Sequence, residues 1–290
     1  MTDPSIEPND RKEGVTDERP VAGAGRSAAP FPRRGPRTGR ADIHFHLLPG
    51  VDDGPATLDD SLELAQLASA EGTATIVATP HVRGDFVTNV SDLPDRAFEV
   101  RAVLEAEGVE LDVLVGGELG HDMVGWLSQA ELDSIAQGPE HGRWLLAEAP
   151  FTGLDAGFRA ATRELRARGF ACVLAHPERA PGVLDDGCAA IATEVRAGSV
   201  LQLNATSLTG RNGEPARSAA FELARRFPCV LGSDAHGPLR PPALCTGLRA
   251  AIAEAVPPPS AHAMIDSGPR GLLWGEMPSF GPIPAGISRP

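Results

Sequence analysis

Asp42-Ile43-His44-Phe45-His46 is followed, four residues on, by Val51-Asp52-Asp53-Gly54. Two histidines one residue apart on an extended strand point to the same face. Both imidazoles can then serve one metal ion. The chain leaves through Leu48-Pro49-Gly50, and Asp53 returns toward the same place. Taken alone, the stretch also reads as a strand edge with two surface histidines and a polar turn. What separates these readings is whether other segments deliver matching groups to the same place.

They recur at regular intervals. Short apolar, β-branched runs near 41–46, 74–79, 112–117, 144–148, 171–175, 200–204 and 229–233 alternate with longer helical patterns. That is the signature of repeated βα units. Helices are expected over 92–107, 122–135, 156–168, 188–197, 216–226 and 243–255. Before them comes one capped by Thr57, with Asp60 at the third helical position. Its apolar stripe is Leu58, Leu62 and Ala65, with Leu64, Leu67 and Ala68 beside it, and Gly72 ends it. Seven such units without an antiparallel interruption predict an α/β fold, a closed or nearly closed barrel. Its active site belongs at the carboxyl ends of the strands.

Those ends are polar. The first strand ends at His44 and His46, the second at Thr79-Pro80-His81, and the third at Gly116-Gly117-Glu118. The fourth ends at Glu148, the fifth at His176-Pro177-Glu178-Arg179, and the seventh at Ser233-Asp234-Ala235-His236. Only the sixth breaks the pattern, with Asn204 and Thr206. With Asp53, five histidines and four carboxylates converge on one rim. Imidazole with carboxylate suits Mn²⁺, Fe or Zn²⁺, and the ligand number fits two or three ions. Ions ~3.5–4 Å apart lower the pKa of bound water and clamp phosphoryl oxygens during in-line attack. Arg179 and Arg240 flank the site, and a guanidinium fork matches phosphate oxygens.

The totals fit this reading. The net charge is −13, which argues against nucleic acid as the main partner. Residues 1–40 carry 8 Lys+Arg against 6 Asp+Glu, so the rest of the chain is more acidic still. That tail is rich in Pro, Gly and charge and is expected to be disordered. Its Arg33-Arg34, Arg37 and Arg40 form a basic cluster, read as solvated. The Pro- and Gly-rich stretch 275–290 is expected to be loose. No apolar run approaches the ~20 residues of a membrane helix, and no secretory signal is evident. Cys172, Cys188, Cys229 and Cys245 lack paired spacing and read as reduced, structural thiols in a cytoplasmic protein. The only lysine is Lys12, and tyrosine is absent.

These motifs together resemble the polymerase-and-histidinol-phosphatase (PHP) superfamily. They are Asp42-x-His44-x-His46 with Leu47-Pro49-Gly50-Asp53, Thr79-Pro80-His81, Gly117-Glu118, His176-Pro177-Glu178-Arg179 and Ser233-Asp234-Ala235-His236. The branch they resemble is the bacterial manganese-dependent protein-tyrosine phosphatases of capsule and exopolysaccharide operons. The resemblance covers roughly 41–245. It implies a distorted (β/α)7 TIM-like barrel, here over 41–274, with a Mn²⁺ centre of two or three ions. As ligands it implies His44, His46, Asp53, His81, Glu118, Glu148, His176, Asp234 and His236. Asp42 resembles a residue that orients a ligand histidine, and Arg179 and Arg240 match phosphate-binding positions. The implied substrate is a phosphotyrosine protein, the tyrosine kinase that controls polysaccharide export. An assembly of identical subunits stays open.

There are departures. Many relatives carry a basic residue directly after the His81 position, where this chain has Val82 and then Arg83. His121 and Asp122 either begin a helix or supply a proton to the leaving group, and the helix is the reading adopted. A small-molecule phosphatase acting on histidinol phosphate is the runner-up. A metal-dependent amidohydrolase is less favoured, because its lysine-bridged type lacks the lysine. A non-catalytic interaction module leaves the full ligand set without a purpose. A cysteine-dependent phosphatase is excluded. It needs Arg six residues after its Cys, and Glu178, Glu194, Ala235 and Ala251 stand there.

Overall fold

The computed structural model describes residues 38–275. The tail predicted over 1–40 lies outside the described residues except at its end, where Arg40 opens the first strand. The loose segment predicted from 275 lies outside them beyond Gly275.

The chain alternates strand and helix. In order it runs β1 (Arg40–Phe45), α1 (Leu58–Ala70), β2 (Thr73–Ala78), β3 (His81–Val82), α2 (Leu93–Ala106), β4 (Asp112–Val115), β5 (Glu118–Leu119) and α3 (Gln129–Ile135). It continues through β6 (Trp144–Glu148), α4 (Ala156–Ala167), β7 (Ala171–Ala175), α5 (Asp185–Arg196), β8 (Val200–Asn204), α6 (Ala205–Leu208) and α7 (Glu214–Arg226). The described part ends with β9 (Cys229–Gly232), α8 (Leu244–Ala253), α9 (Pro258–Ile265) and α10 (Ser267–Trp274). All strand pairs are parallel, in the orders β1-β2-β4 and β3-β5-β6-β7-β8-β9.

Two of the seven expected strands, 74–79 and 112–117, form as β2 and β4, and after a break each is followed by a short further strand, β3 and β5. Pro80 has no N–H for the ladder, so the second strand stops at Ala78 and resumes as β3. The partner strand bends with it at Gly116 and Gly117. Gly116 N donates to Ala78 O (2.8 Å) and Glu118 N to Pro80 O (2.9 Å). A Cβ on Gly116 would lie 2.6 Å from Val77 Cγ1, so only glycine permits this approach. At the other seam, Asp234 N donates to His44 O (3.0 Å) and His46 N to Ala235 O (2.9 Å). These bonds carry the strand order from β9 back to β1, giving the distorted α/β barrel.

The helices follow local chemistry. Thr57 caps α1 in a reciprocal box with Asp60, an arrangement that stabilises a helix by about 1 kcal/mol. Leu64, Ala65 and Ala68 are its buried face, whereas Leu67 is 42% exposed and Leu58 and Leu62 only half-buried. The expected stripe is thus rotated toward Leu64. The helix expected over 122–135 is shorter. Ser128 and Glu131 form a second capping box, which starts α3 at Gln129, and residues 121–126 form turns. Helices α9 and α10 were not anticipated. Helix α10 packs on β1 and β9. It adds Leu272 and Leu273 to an apolar cluster with Ile43, Val77, Trp144 and Val230, and Trp144 Nε1 donates to Leu272 O (2.8 Å). The four cysteines are unpaired thiols, and Cys172, Cys188 and Cys229 are buried.

Candidate metal centre

Strand β1 delivers His44 and His46 to the interior, both fully buried, with their Nε2 atoms 3.3 Å apart. The other nitrogen of each ring is engaged. His44 Nδ1 donates to Gln202 Oε1 (2.7 Å) and His46 Nδ1 to Asp52 Oδ2 (2.6 Å). A proton held on Nδ1 leaves the Nε2 lone pair free for a cation. Gln202 Nε2 in turn donates to Asn204 Oδ1 (3.0 Å), and Asn204 Nδ2 to Asp234 Oδ2 (2.6 Å). Gln202 and Asn204 share one face of β8, two residues apart. The strand that breaks the polar-end pattern is thus the one that orients His44 and Asp234.

Glu118 stands at the middle, fully buried at the start of β5. Its Oε1 lies 2.7 Å from His176 Nε2. Its Oε2 lies 2.8 Å from His81 Nδ1 and 3.4 Å from both His44 Nε2 and His46 Nε2. Asp234 Oδ1 is 3.4 Å from His44 Nε2 and 3.5 Å from His46 Nε2. Asp53 Oδ1 is 3.4 Å from His81 Nε2 and 3.2 Å from His236 Nε2. Four overlapping groups have ligand atoms within 4.8 Å of one another. They are His46-Asp53-His81-His236, His44-His46-Asp234, His44-Glu118-His176 and His81-Glu118-Glu148. All nine residues named from the sequence fall in these groups.

The backbone is bent to make this possible. His176 (φ +35°) and Asp234 (φ +51°) occupy the left-handed region, which costs a residue with a Cβ about 1–2 kcal/mol. Each follows the end of a strand, so the bend turns its side chain inward. Backbone strain of this kind concentrates at functional sites.

The donor set fits divalent cations. Glu118 Oε2 and His236 Nε2 are buried, and although His81 Nδ1 and Asp53 Oδ1 stand 2.8 and 3.2 Å from them, neither contact has hydrogen-bond geometry, a state that is costly unless a cation completes it. Atoms 2.8–3.5 Å apart match the spacing of neighbouring ligands on one ion bound at roughly 2.0–2.2 Å. Glu118 and Asp234 both reach more than one imidazole, so they are placed to serve neighbouring ions.

Protons take the place of cations when the latter are absent. Burial opposes charge on His81, yet Asp53 and Glu118 raise its pKa to about 9. His46 is likewise pushed well above its ordinary value against burial, by Asp234, Asp52 and Glu118. Burial favours a protonated Glu118, but His44 and His176 hold it well below the usual carboxylate range. Below pH about 9 a metal must displace the His81 proton. Apparent metal affinity should therefore rise with pH toward that value and fall as pH drops. Titrating Mn²⁺ calorimetrically into metal-free protein, in buffers of different ionisation enthalpy at pH ~7.5, should show release of on the order of one proton or more. Binding heats independent of the buffer would contradict this.

Asp42 reaches a ligand histidine through the backbone. Its carboxylate accepts from the backbone N–H groups of His44 (3.2 Å) and Ser233 (3.1 Å), not from an imidazole. It pins β1 to the end of β9, and burial raises its pKa to about 6 against those hydrogen bonds. The residues that do hold ligand imidazoles are Asp52 and Gln202. Gln202→Leu, close in volume but without the acceptor, should weaken Mn²⁺ binding about 10–100-fold. Equal affinities by calorimetry would remove Gln202 from the centre.

Three arginines stand at the rim, each on a carboxylate. Arg83 Nη1 donates to Glu148 (3.0 Å), Arg179 Nη1 to Asp234 Oδ2 (3.3 Å) and Arg240 Nη2 to Asp53 Oδ2 (2.6 Å). The Arg240 pair is more than two-fifths exposed on both sides, and solvent screens it accordingly. Phe151 stacks on His176 (5.7 Å, 7°), with the Arg179 guanidinium 4.7 Å from its ring. Phe86 covers His81 in the same way (5.1 Å, 21°). His121 and Asp122 do not begin a helix and are not in the ligand groups. Asp122 accepts from Gly84 N (3.3 Å), and His121 lies within electrostatic reach of Asp155, the N-cap of α4.

A ring of parallel βα units holding a buried imidazole–carboxylate cluster at its strand ends defines a barrel metalloprotein. Residues 40–255 match the family described as capsular polysaccharide synthesis, CpsB/CapC, and the chain belongs to that family. It is 27% identical over 199 residues to the putative tyrosine-protein phosphatase CapC of Staphylococcus aureus, covering 67% of this chain and 76% of that one. It is 29% identical over 203 residues to the tyrosine-protein phosphatase YwqE of Bacillus subtilis, with the same coverage. Crystal structures of YwqE from Bacillus subtilis and CpsB from Streptococcus pneumoniae, metal-dependent tyrosine phosphatases, include a chain that superposes with a TM-score of 0.73. That match has 25% identity and spans 86% of this chain and 100% of the other. A phosphotriesterase homology protein from Escherichia coli shares the fold, with a TM-score of 0.53 and 14% identity over 80% of this chain and 97% of that one.

Proposed function

We propose that this chain is a Mn²⁺-dependent phosphomonoester hydrolase acting on phosphotyrosine in proteins. Its proposed physiological substrate is a cytoplasmic tyrosine kinase domain that controls capsule or exopolysaccharide synthesis. The observation that carries the reading is Glu118, one buried carboxylate within 3.4 Å of four imidazoles. The relatives named as tyrosine phosphatases support the substrate class. This chain contains no tyrosine, so its substrate lies on another protein. No described helix is long and apolar enough to cross a membrane.

His44, His46, Asp53, His81, Glu118, Glu148, His176, Asp234 and His236 would hold the ions. The ions would supply an activated water and positive charge for the phosphoryl group. The chain's own residues do the rest. Gln202 and Asp52 hold the proton of each ring on Nδ1, which leaves each Nε2 as the atom turned to the ions. Arg179 and Arg240 neutralise phosphoryl oxygens as charge builds on them. A phenolate leaving group has a parent pKa near ~10, so it needs less help from an acid than an alkoxide does.

The test is phosphate release by metal-stripped protein after Mn²⁺ is restored, comparing a phosphotyrosine peptide with histidinol phosphate. The peptide should be preferred by kcat/KM, by about a hundredfold or more if the site is built to transition-state charge on an aryl ester. Chelator should stop the reaction. Preference for histidinol phosphate would move the assignment to a small-molecule phosphatase on the same centre.

A further inference from the structure

Beyond Arg179 lies a cavity of about 670 Å³ that the phosphoryl chemistry does not use. It shares two walls with the metal centre, Arg179 and the half-exposed Phe151. Val183, Leu184 and Ala216 supply apolar surface, and Ser218 of α7 stands at its exposed lip. The volume falls within the ~300–1,000 Å³ of sites that enclose organic ligands.

Glu178 also lines this cavity and is 2% exposed. Its Oε1 accepts from Asn204 N (2.9 Å) and Ser207 Oγ (2.7 Å), which fixes the orientation of the carboxyl group. Its Oε2 is buried with no hydrogen-bond partner among the described residues. A fixed, desolvated acceptor without a donor is costly to keep. A donor arriving from the cavity would complete it. Arg179 does not supply that donor: its Nη1 is on Asp234, and none of its N–H groups bonds to Glu178 Oε2.

Resting on the reading above, we infer that this cavity is a subsite for the peptide segment flanking the phosphotyrosine. Glu178 receives a hydrogen-bond donor from a neighbouring substrate side chain, such as an amide or an ammonium group. Arg179 then sits at the junction, with the phosphoryl group on one side and the flanking residue on the other. A small aryl phosphate reaches only the first of these, so the two substrate classes should separate.

The experiment compares kcat/KM for phosphotyrosine peptides with that for phenyl phosphate, using Mn²⁺-loaded full-length protein. In the parent protein, peptides with Lys or Gln beside the phosphotyrosine should exceed a Glu-flanked peptide by about tenfold. Ser218→Trp, which places bulk in the cavity from an exposed helix position, should lower the peptide-to-phenyl-phosphate ratio about tenfold. Glu178→Gln should bring the flanking preference to within about threefold, with bound metal measured alongside because His176 is close by in the chain. If Glu178→Gln loses metal, Ser218→Trp decides the matter alone. An unchanged ratio in Ser218→Trp overturns the subsite while leaving the phosphatase reading intact. No peptide turnover by the parent protein, with phenyl phosphate still cleaved, overturns both.

Discussion

Glu118→Gln should lower turnover by at least about a thousandfold, which is roughly 4 kcal/mol of lost transition-state stabilisation. The side chain is fully buried and lies among His44, His46, His81 and His176. The substitution keeps the shape and removes the negative charge. It also turns one acceptor oxygen into an N–H₂ donor aimed at ring nitrogens, so one side of the carboxylate becomes repulsive to a cation. Bound Mn²⁺ per chain, measured by elemental analysis, should fall with activity. Circular dichroism should show the barrel intact, because the surrounding apolar clusters do not depend on this charge. Full metal content with activity within tenfold of the parent would remove Glu118 from the centre.

Arg179→Ala should cost about 10²–10³-fold in kcat/KM while leaving bound metal close to the parent value. The guanidinium lies 3.3 Å from Asp234 Oδ2 and 4.7 Å from the centre of the Phe151 ring, so it is held in place rather than mobile. A held cation needs little reorganisation when charge develops on the phosphoryl group. Inhibition by inorganic phosphate should weaken in parallel. Arg179→Lys should recover part of the loss, because it restores the charge but not the bidentate fork. Loss of metal from Arg179→Ala would assign the residue to Asp234 instead of to substrate. Arg240 is 42% exposed on its side chain, and its replacement should have the smaller effect.

Much of the centre was readable because barrel geometry converts sequence position into spatial position. His81, Glu118, Glu148, His176 and Asp234 each stand at a strand end or within two residues of one, and the structure brings them together. What supports them was harder to see. Gln202 and Asn204 carry no metal-binding signature, and an amide relay is recognised only once its partners are known. Asp52 is one residue from Asp53 and chemically identical to it, yet only the turn geometry sends Asp52 to the Nδ1 side of His46 and Asp53 to the Nε2 atoms of His81 and His236. Asp42 resembles a residue that orients a ligand histidine, but sequence does not show the route: it accepts from the backbone N–H groups of His44 and Ser233, where the chain passes close to it. Helix α3 began late because a Ser128–Glu131 box outweighed the apolar spacing before it. Breaks at Pro80 and at Gly116-Gly117 follow from steric rules, but their effect on Glu118 depends on which strands lie beside them.

The left-handed backbone at His176 and Asp234 bears on how the fold can change over generations. Glycine at either position would relieve the strain and, in that respect, make the metal-free barrel sturdier. It would also delete a side chain the centre depends on. A lineage kept only for its stability would therefore drift toward glycine there, whereas one kept for its chemistry has to tolerate the strain. These two positions thus offer a way to tell working members of such a lineage from retired ones.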